Sequence, residues 1–306
     1  MKYQINRLSS LIVLLYIGTG IAQTPIHDLE QLQRSGFSFS IAPLIQGSSD
    51  IDGGGSYSMS SLLIRISAIK PVSTRTFVGF GISYDITRYD FENLSAFNGQ
   101  QPWDNIRSLN FSLPVVFRSD NNWTFVASPS IGTFQEVDAD WRDSLAYGAI
   151  LIGSYNFERG NRIGIGLGVF DRLDETALFP FLSVKWQLTD NLRIGNALNA
   201  GPTGPAGLQL AYRFSEKWEA AIGFSRRSFR FRLDDTGLAP GGIGTQDGRL
   251  LFLRLSTNLT PTMHLDLHAG INHDGNLVLE NNENVPVASA DYETAPLLAL
   301  NLSGRF

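Results

Sequence analysis

His264, Asp266 and His268 occupy alternate positions in the run HLDLH. Two imidazoles flanking a carboxylate suit a divalent metal. On an extended strand all three point to one face, with successive side chains about 7 Å apart. That spacing is long for one ion, so the run reads either as a metal candidate or as the polar lining of a cavity. The chain has no cysteine, which excludes disulfides and thiolate ligands. It also lacks EF-hand, phosphate-loop and zinc-finger spacings, and no cofactor is expected.

The elements that must carry these residues are strands. Val78, Phe80, Ile82, Tyr84 and Ile86 alternate with Gly79, Gly81, Ser83 and Asp85, which is the period of a sheet with one apolar face. The same alternation recurs at Leu109 to Phe117, at Ile163 to Val169 against Gly164, Gly166 and Gly168, and at Leu178 to Leu188. Further copies give about 14 segments, with 12 as the alternative count, many near the 9–11 residues of a tilted membrane-crossing strand. The fold class is therefore all-β, a closed antiparallel transmembrane barrel.

Connections alternate in length. Short turns are read at RSDNN, ERGNR, TDN, SEK and NLTPT. Longer segments are expected over 88–105, 135–143, 171–177, 199–206, 228–248 and 273–293, several of them acidic and Gly-rich, with GLAPGGIGTQDG as a flexible loop. Two unlike ends are what short periplasmic turns and long outer loops produce. Phe117, Trp123, Phe157, Trp186, Phe214, Trp218 and Phe306 all flank the short turns or the terminus with apolar-face parity. They form the girdle expected at one water–lipid interface. Phe77 has the opposite parity. A secreted β-sandwich with an aromatic core is the competing reading.

At the N-terminus, Lys2 and Arg7 precede an apolar run that ends in Gly20-Ile21-Ala22. This has the form of a signal peptide cleaved after Ala22, over residues 1–22, and the run is too short to span a bilayer. Residues 23–35 would be a periplasmic segment or a plug, and residues 36–306 the barrel. Losing Lys2 and Arg7 moves the formal charge from −5 to −7, which argues against a nucleic-acid partner.

The signal peptide, the alternating strands and the terminal LLALNLSGRF resemble bacterial outer-membrane β-barrels. In that family the last strand commonly ends in Phe, with hydrophobic residues at alternate positions before it, and is read by the barrel-assembly machinery. Leu298, Leu300, Leu302 and Phe306 match this pattern; Gly304 departs from it, where a bulky residue is usual. The resemblance implies a bacterial outer-membrane location, closure of the last strand onto the first, and lipids and lipopolysaccharide as surroundings.

Inward parity falls on Arg65, Asp85, Lys185, Arg193, Arg213, Glu219, Arg254 and Arg305, together with the HLDLH polar residues. Cations outnumber carboxylates, and charged rings set pore selectivity. The leading expectation is a porin-like channel or small-solute transporter with a mildly basic lumen, passing polar or anionic solutes. The alternatives are a non-conducting structural or surface-binding barrel and an outer-membrane lipid hydrolase; an enzyme is not expected. In RRSFRFR, Arg226, Arg230 and Arg232 continue the lipid-facing parity of Ala220, Ile222 and Phe224. Arg forks match phosphate, so these three are expected at lipopolysaccharide, with a solvated loop base as the alternative.

Overall fold

The computed structural model describes residues 36–173, 175–196 and 206–306. The expected signal peptide and the 23–35 segment lie outside these residues. Sixteen strand segments run in chain order. The first six are β1 (Gly36–Asp50), β2 (Ser56–Pro71), β3 (Thr76–Glu92), β4 (Ile106–Ser112), β5 (Val115–Arg118) and β6 (Trp123–Glu136). Next come β7 (Leu145–Asn156), β8 (Arg162–Arg172), β9 (Glu175–Gln187), β10 (Leu192–Asn196) and β11 (Ala206–Arg213). The last are β12 (Trp218–Arg232), β13 (Ile243–Asn258), β14 (Met263–Glu280), β15 (Pro286–Tyr292) and β16 (Ala295–Arg305).

These make a closed antiparallel barrel of 14 strands. β4 and β5 are one barrel strand interrupted at Pro114, which has no N–H to give to the ladder; its carbonyl still accepts from Gly79 at 2.7 Å. β15 and β16 likewise form one strand along β14. Closure is between β1 and β16: Ser38 pairs with Arg305 and Ile41 with Leu302. Phe37 and Phe306 exchange two backbone hydrogen bonds of 2.8 Å. Among the described residues the wall thus closes on itself, as a bilayer requires. Outside, Ile41, Ile66, Phe80, Phe111, Ile165, Leu182, Ile222, Leu253 and Leu300 are exposed, the apolar belt of such a barrel.

The girdle assembles as a contact chain. Phe125 stacks on Trp123, Trp123 meets Tyr155, Tyr155 meets Phe157, and Phe157 meets Trp186, with centroids 4.8–5.9 Å apart. Phe77 points inward instead and packs with Ile69, Val116, Ile152 and Phe179, with the Arg118 guanidinium 4.6 Å from its ring centroid.

Of the expected long loops, 171–177 and 273–293 are mostly strand and 228–248 is about half strand, whereas 93–105 and 137–144 connect strands as expected and 199–205 lies outside the described residues. β12 runs to Arg232 and β13 starts at Ile243, inside the run expected as a flexible loop. β14 continues to Glu280, β8 runs to Arg172 and β9 starts at Glu175. Pairing persists because the inner face stays worth burying: Phe231, Ile243, Leu277 and Leu279 are all at most 1% exposed.

Above β7–β11 the wall narrows. β12 crosses to β6, where Arg232 pairs with Gln135 in parallel, and β1 reaches β15 through Ile51 and Tyr292. A second ring of nine strands, β1–β4, β6 and β12–β15, thereby closes over the 14-stranded one. Neighbouring strands around the wall are antiparallel, so a ring that skips five of them must contain one parallel pair. That pair is the β6–β12 contact.

Glycine and aromatic residues are matched across strands. Gly166 pairs with Phe181 and Gly168 with Phe179; a Cβ on either glycine would stand 2.1 Å from the facing ring. Phe179 and Phe181 thus lie over this glycine ladder. Gly223 with Phe252 and Gly244 with Phe231 repeat the device, as does Gly275 with Tyr292. Gly304 is explained in the same way: Phe39 pairs with it and a Cβ would stand 2.4 Å from that ring. A ring laid over a cross-strand glycine supplies the packing the glycine lacks. Gly166→Ala should cost about 1–3 kcal/mol by overpacking, and adding Phe181→Ala should recover part of it. Urea unfolding of the two variants in detergent checks this.

Candidate functional site

The barrel interior is divided along its axis. At the short-turn end lies a cavity of about 940 Å³, lined by Ser40, Arg65, Arg193, Arg213, Glu219, Arg254, Asp266, Asn301 and Arg305 among others. Six cationic side chains, Arg65, Arg193, Arg213, Lys217, Arg254 and Arg305, face three carboxylates, Glu216, Glu219 and Asp266.

Its wall is an ion-pair network on β10–β14. Arg193 grips Glu219 with Nε and Nη2 at 3.0 and 2.7 Å, the bidentate geometry of a guanidinium on a carboxylate. Arg254, 1% exposed, joins Glu219 at 2.6 Å to Asp266 at 3.0 Å and donates to Gln209 at 3.2 Å. Asp266 also accepts from Ser256, from Asn301 at 3.0 Å and meets His264 Nε2 at 3.2 Å. Strand register explains the cluster, since Ser256 faces Asp266 and Arg254 faces His268 across β13–β14.

HLDLH therefore does not converge. His264 contacts Asp266 and Asn258, whereas His268 is buried against Phe252, centroids 5.9 Å apart, with neither ring nitrogen hydrogen-bonded. Among the described residues no group of three metal-binding side chains is assembled. Ser256 and His264 both bind Asp266 rather than each other. A serine nucleophile needs its histidine interposed between itself and the acid.

Deeper in, Arg65, Asp85 and Arg227 are buried on β2, β3 and β12. Above them the nine-stranded ring is filled. Tyr57, Tyr89, Phe91, Trp103, Phe231 and Tyr292 are stacked or edge-on, with centroids 5.0–6.4 Å apart. The 3₁₀ turn Ala96–Gly99 folds Ala96 and Phe97 into the same cluster. Hydrogen bonds cross this roof. Gln46 and Gln246 donate to the Tyr57 hydroxyl at 2.9 and 3.1 Å, Tyr89 donates to Gln246 at 2.5 Å, and Asn272 bridges Gln46 and Tyr292, each at 3.0 Å. A buried network linked across strands favours one arrangement of its members.

The remaining sequence candidates fall elsewhere. Lys185 on β9 is half-buried and lies outside the cavity lining. Of the three arginines expected at lipopolysaccharide, Arg230 and Arg232 are buried and turned to protein partners. Arg230 pairs with Glu280 at 2.6 Å, and Arg232 donates to the Asp143 and Gly241 carbonyls at 3.0 Å. Lipid-facing parity ends at Arg226, which is 38% exposed in its side chain and 3.4 Å from Asp247; beyond it both faces of β12 are covered by the upper ring. Arg227, the inward neighbour, was missed; continuing the parity of Glu219, Ala221, Gly223 and Ser225 points to it.

A closed 14-stranded barrel with an apolar belt, an aromatic girdle beside its short turns and a polar interior defines an outer-membrane β-barrel protein. The chain belongs to the family described as Domain of unknown function (DUF6268), whose model matches residues 73–273. No curated protein matches it. Among solved structures it is similar to the COG4313 outer membrane channel from Pseudomonas putida F1, with a TM-score of 0.50 and 10% identity over 89% of this chain and 96% of that one. It is also similar to the Pseudomonas putida toluene transporter TodX (TM-score 0.43, 11% identity, 89% and 90% covered). The translocator domain of the autotransporter NalP from Neisseria meningitidis is a third neighbour (0.41, 9%, 91% and 92%). At these identities the likeness is one of fold.

Proposed function

We propose that this protein is an outer-membrane transporter for small polar or anionic solutes that rests closed on its extracellular side. The observation that carries the reading is the cavity at the short-turn, periplasmic end, where six cationic side chains face three carboxylates beneath an aromatic roof. Fixed charge of one sign at a constriction selects the opposite ion, and a packed roof keeps the cavity from being a standing hole. The refolded protein in a planar bilayer under a salt gradient tests this. The expected record is long quiet stretches, brief openings and an anion-leaning reversal potential; cation-leaning openings would count against it. The packed upper ring equally favours a second reading, a non-conducting structural or surface-binding barrel, for which no openings would be seen at any voltage. Outer-membrane lipids, lipopolysaccharide and the assembly machinery are the partners this reading requires.

A further inference from the structure

We infer that Arg65, Asp85 and Arg227, at the boundary between the polar cavity and the aromatic roof, form a binding site for a small solute bearing a carboxylate or phosphate group.

The argument begins with polar atoms that the fold leaves without partners. Arg65 is 7% exposed, Arg227 5% and Asp85 8%. In each arginine Nε and Nη1 are buried without a hydrogen-bond partner, and so is Asp85 Oδ1. Leaving such groups unsatisfied is costly, more so when they are charged. Both guanidinium charges act on the Asp85 carboxylate, yet neither closes to a salt bridge with it, although Arg254 and Glu219 nearby reach 2.6 Å. Arg65 lines the cavity at the short-turn end, so a solute entering there meets its guanidinium first.

Its surroundings hold the donors in place. Arg65 pairs with Ser83 and Asp85 with Ser108 across the strand register. The Arg227 guanidinium sits 4.6 Å from the Phe229 ring centroid, a contact that orients a guanidinium plane. Two cations against one carboxylate leave a net positive charge, which a monoanion neutralises. Two arginine forks offer the planar N–H pairs that carboxylate and phosphate accept, and the open Asp85 oxygen accepts a hydroxyl or amino hydrogen from the same solute.

The inference names the solute class for the transport proposed above, and binding is read independently of conductance. Isothermal titration calorimetry on the full-length protein, folded in lipid-free detergent, uses inorganic phosphate in one arm and acetate in the other. Saturable binding of either anion is expected. It should weaken about tenfold or more in Arg65→Gln and Arg227→Gln, the loss of charged hydrogen bonds, and stay unchanged in Arg249→Gln, whose side chain pairs with Asp274 on the outside. Asp85→Asn should tighten it, because the competing carboxylate is gone. If a Gln variant does not fold, Arg65→Lys keeps the charge but loses the fork and should still weaken binding. No saturable heat with either anion, or equal affinity in the wild type and the site variants, overturns the inference. Binding without conductance would sustain it while removing the transport reading.

Discussion

Arg254→Met lowers the unfolding free energy by about 3–5 kcal/mol, the loss expected when one member of a buried ion network is deleted. Arg254 is the shared counter-ion of Glu219 and Asp266, and its side chain and that of Asp266 are each 1% exposed. Methionine leaves two carboxylates facing each other across a desolvated wall with one guanidinium, Arg193, still on Glu219. Urea unfolding in detergent, followed by tryptophan fluorescence, measures the loss. Adding Asp266→Asn should return a substantial share of it, since the uncompensated charge is then gone. A loss below about 1 kcal/mol, the range of hydrated surface pairs, would mean that water reaches the network freely.

The second large effect is at the roof. Phe231 is 1% exposed, lies over Gly244 and meets Trp103 edge-on at 5.1 Å. Phe231→Ala should cost about 3–5 kcal/mol, because the facing glycine has no side chain to fill the space. Its functional consequence is larger: removing the ring unseats Trp103 and thins the barrier between cavity and exterior. In a planar bilayer the variant should show frequent discrete openings where the wild type is mostly quiet. A destabilised variant that stays as quiet as the wild type would assign closure to the hydrogen-bonded belt of Gln46, Tyr57, Gln246 and Asn272 rather than to the stacked rings.

Strand number, the aromatic girdle and closure of the ends were legible because each depends on parity along one strand. What was illegible depends on register between strands. The grip of Arg254 on Asp266 requires knowing that Ser256 faces Asp266, which no periodicity reveals. The abundance of glycine and phenylalanine was visible, but not that each ring would settle over a particular glycine one strand away. The outer segments read as loops because glycine and acidic residues dilute their alternation. They stay in strand because the upper ring buries both faces of β12 beyond Arg226, and there the in-or-out logic of a lipid-facing wall no longer applies. Parity therefore points to Arg230 and Arg232 as lipid-facing although both are buried.

The two rings share nine strands but differ in circumference, and the difference is the five-strand block β7–β11. Losing or gaining a hairpin within that block would change the membrane-embedded girth by two strands, keep the block odd, and so preserve the parallel seam between β6 and β12. The width of the vestibule and the shape of its cap are thus separable traits. A lineage could widen the cavity to admit a bulkier solute by duplicating a hairpin, without redesigning the collar that shuts it.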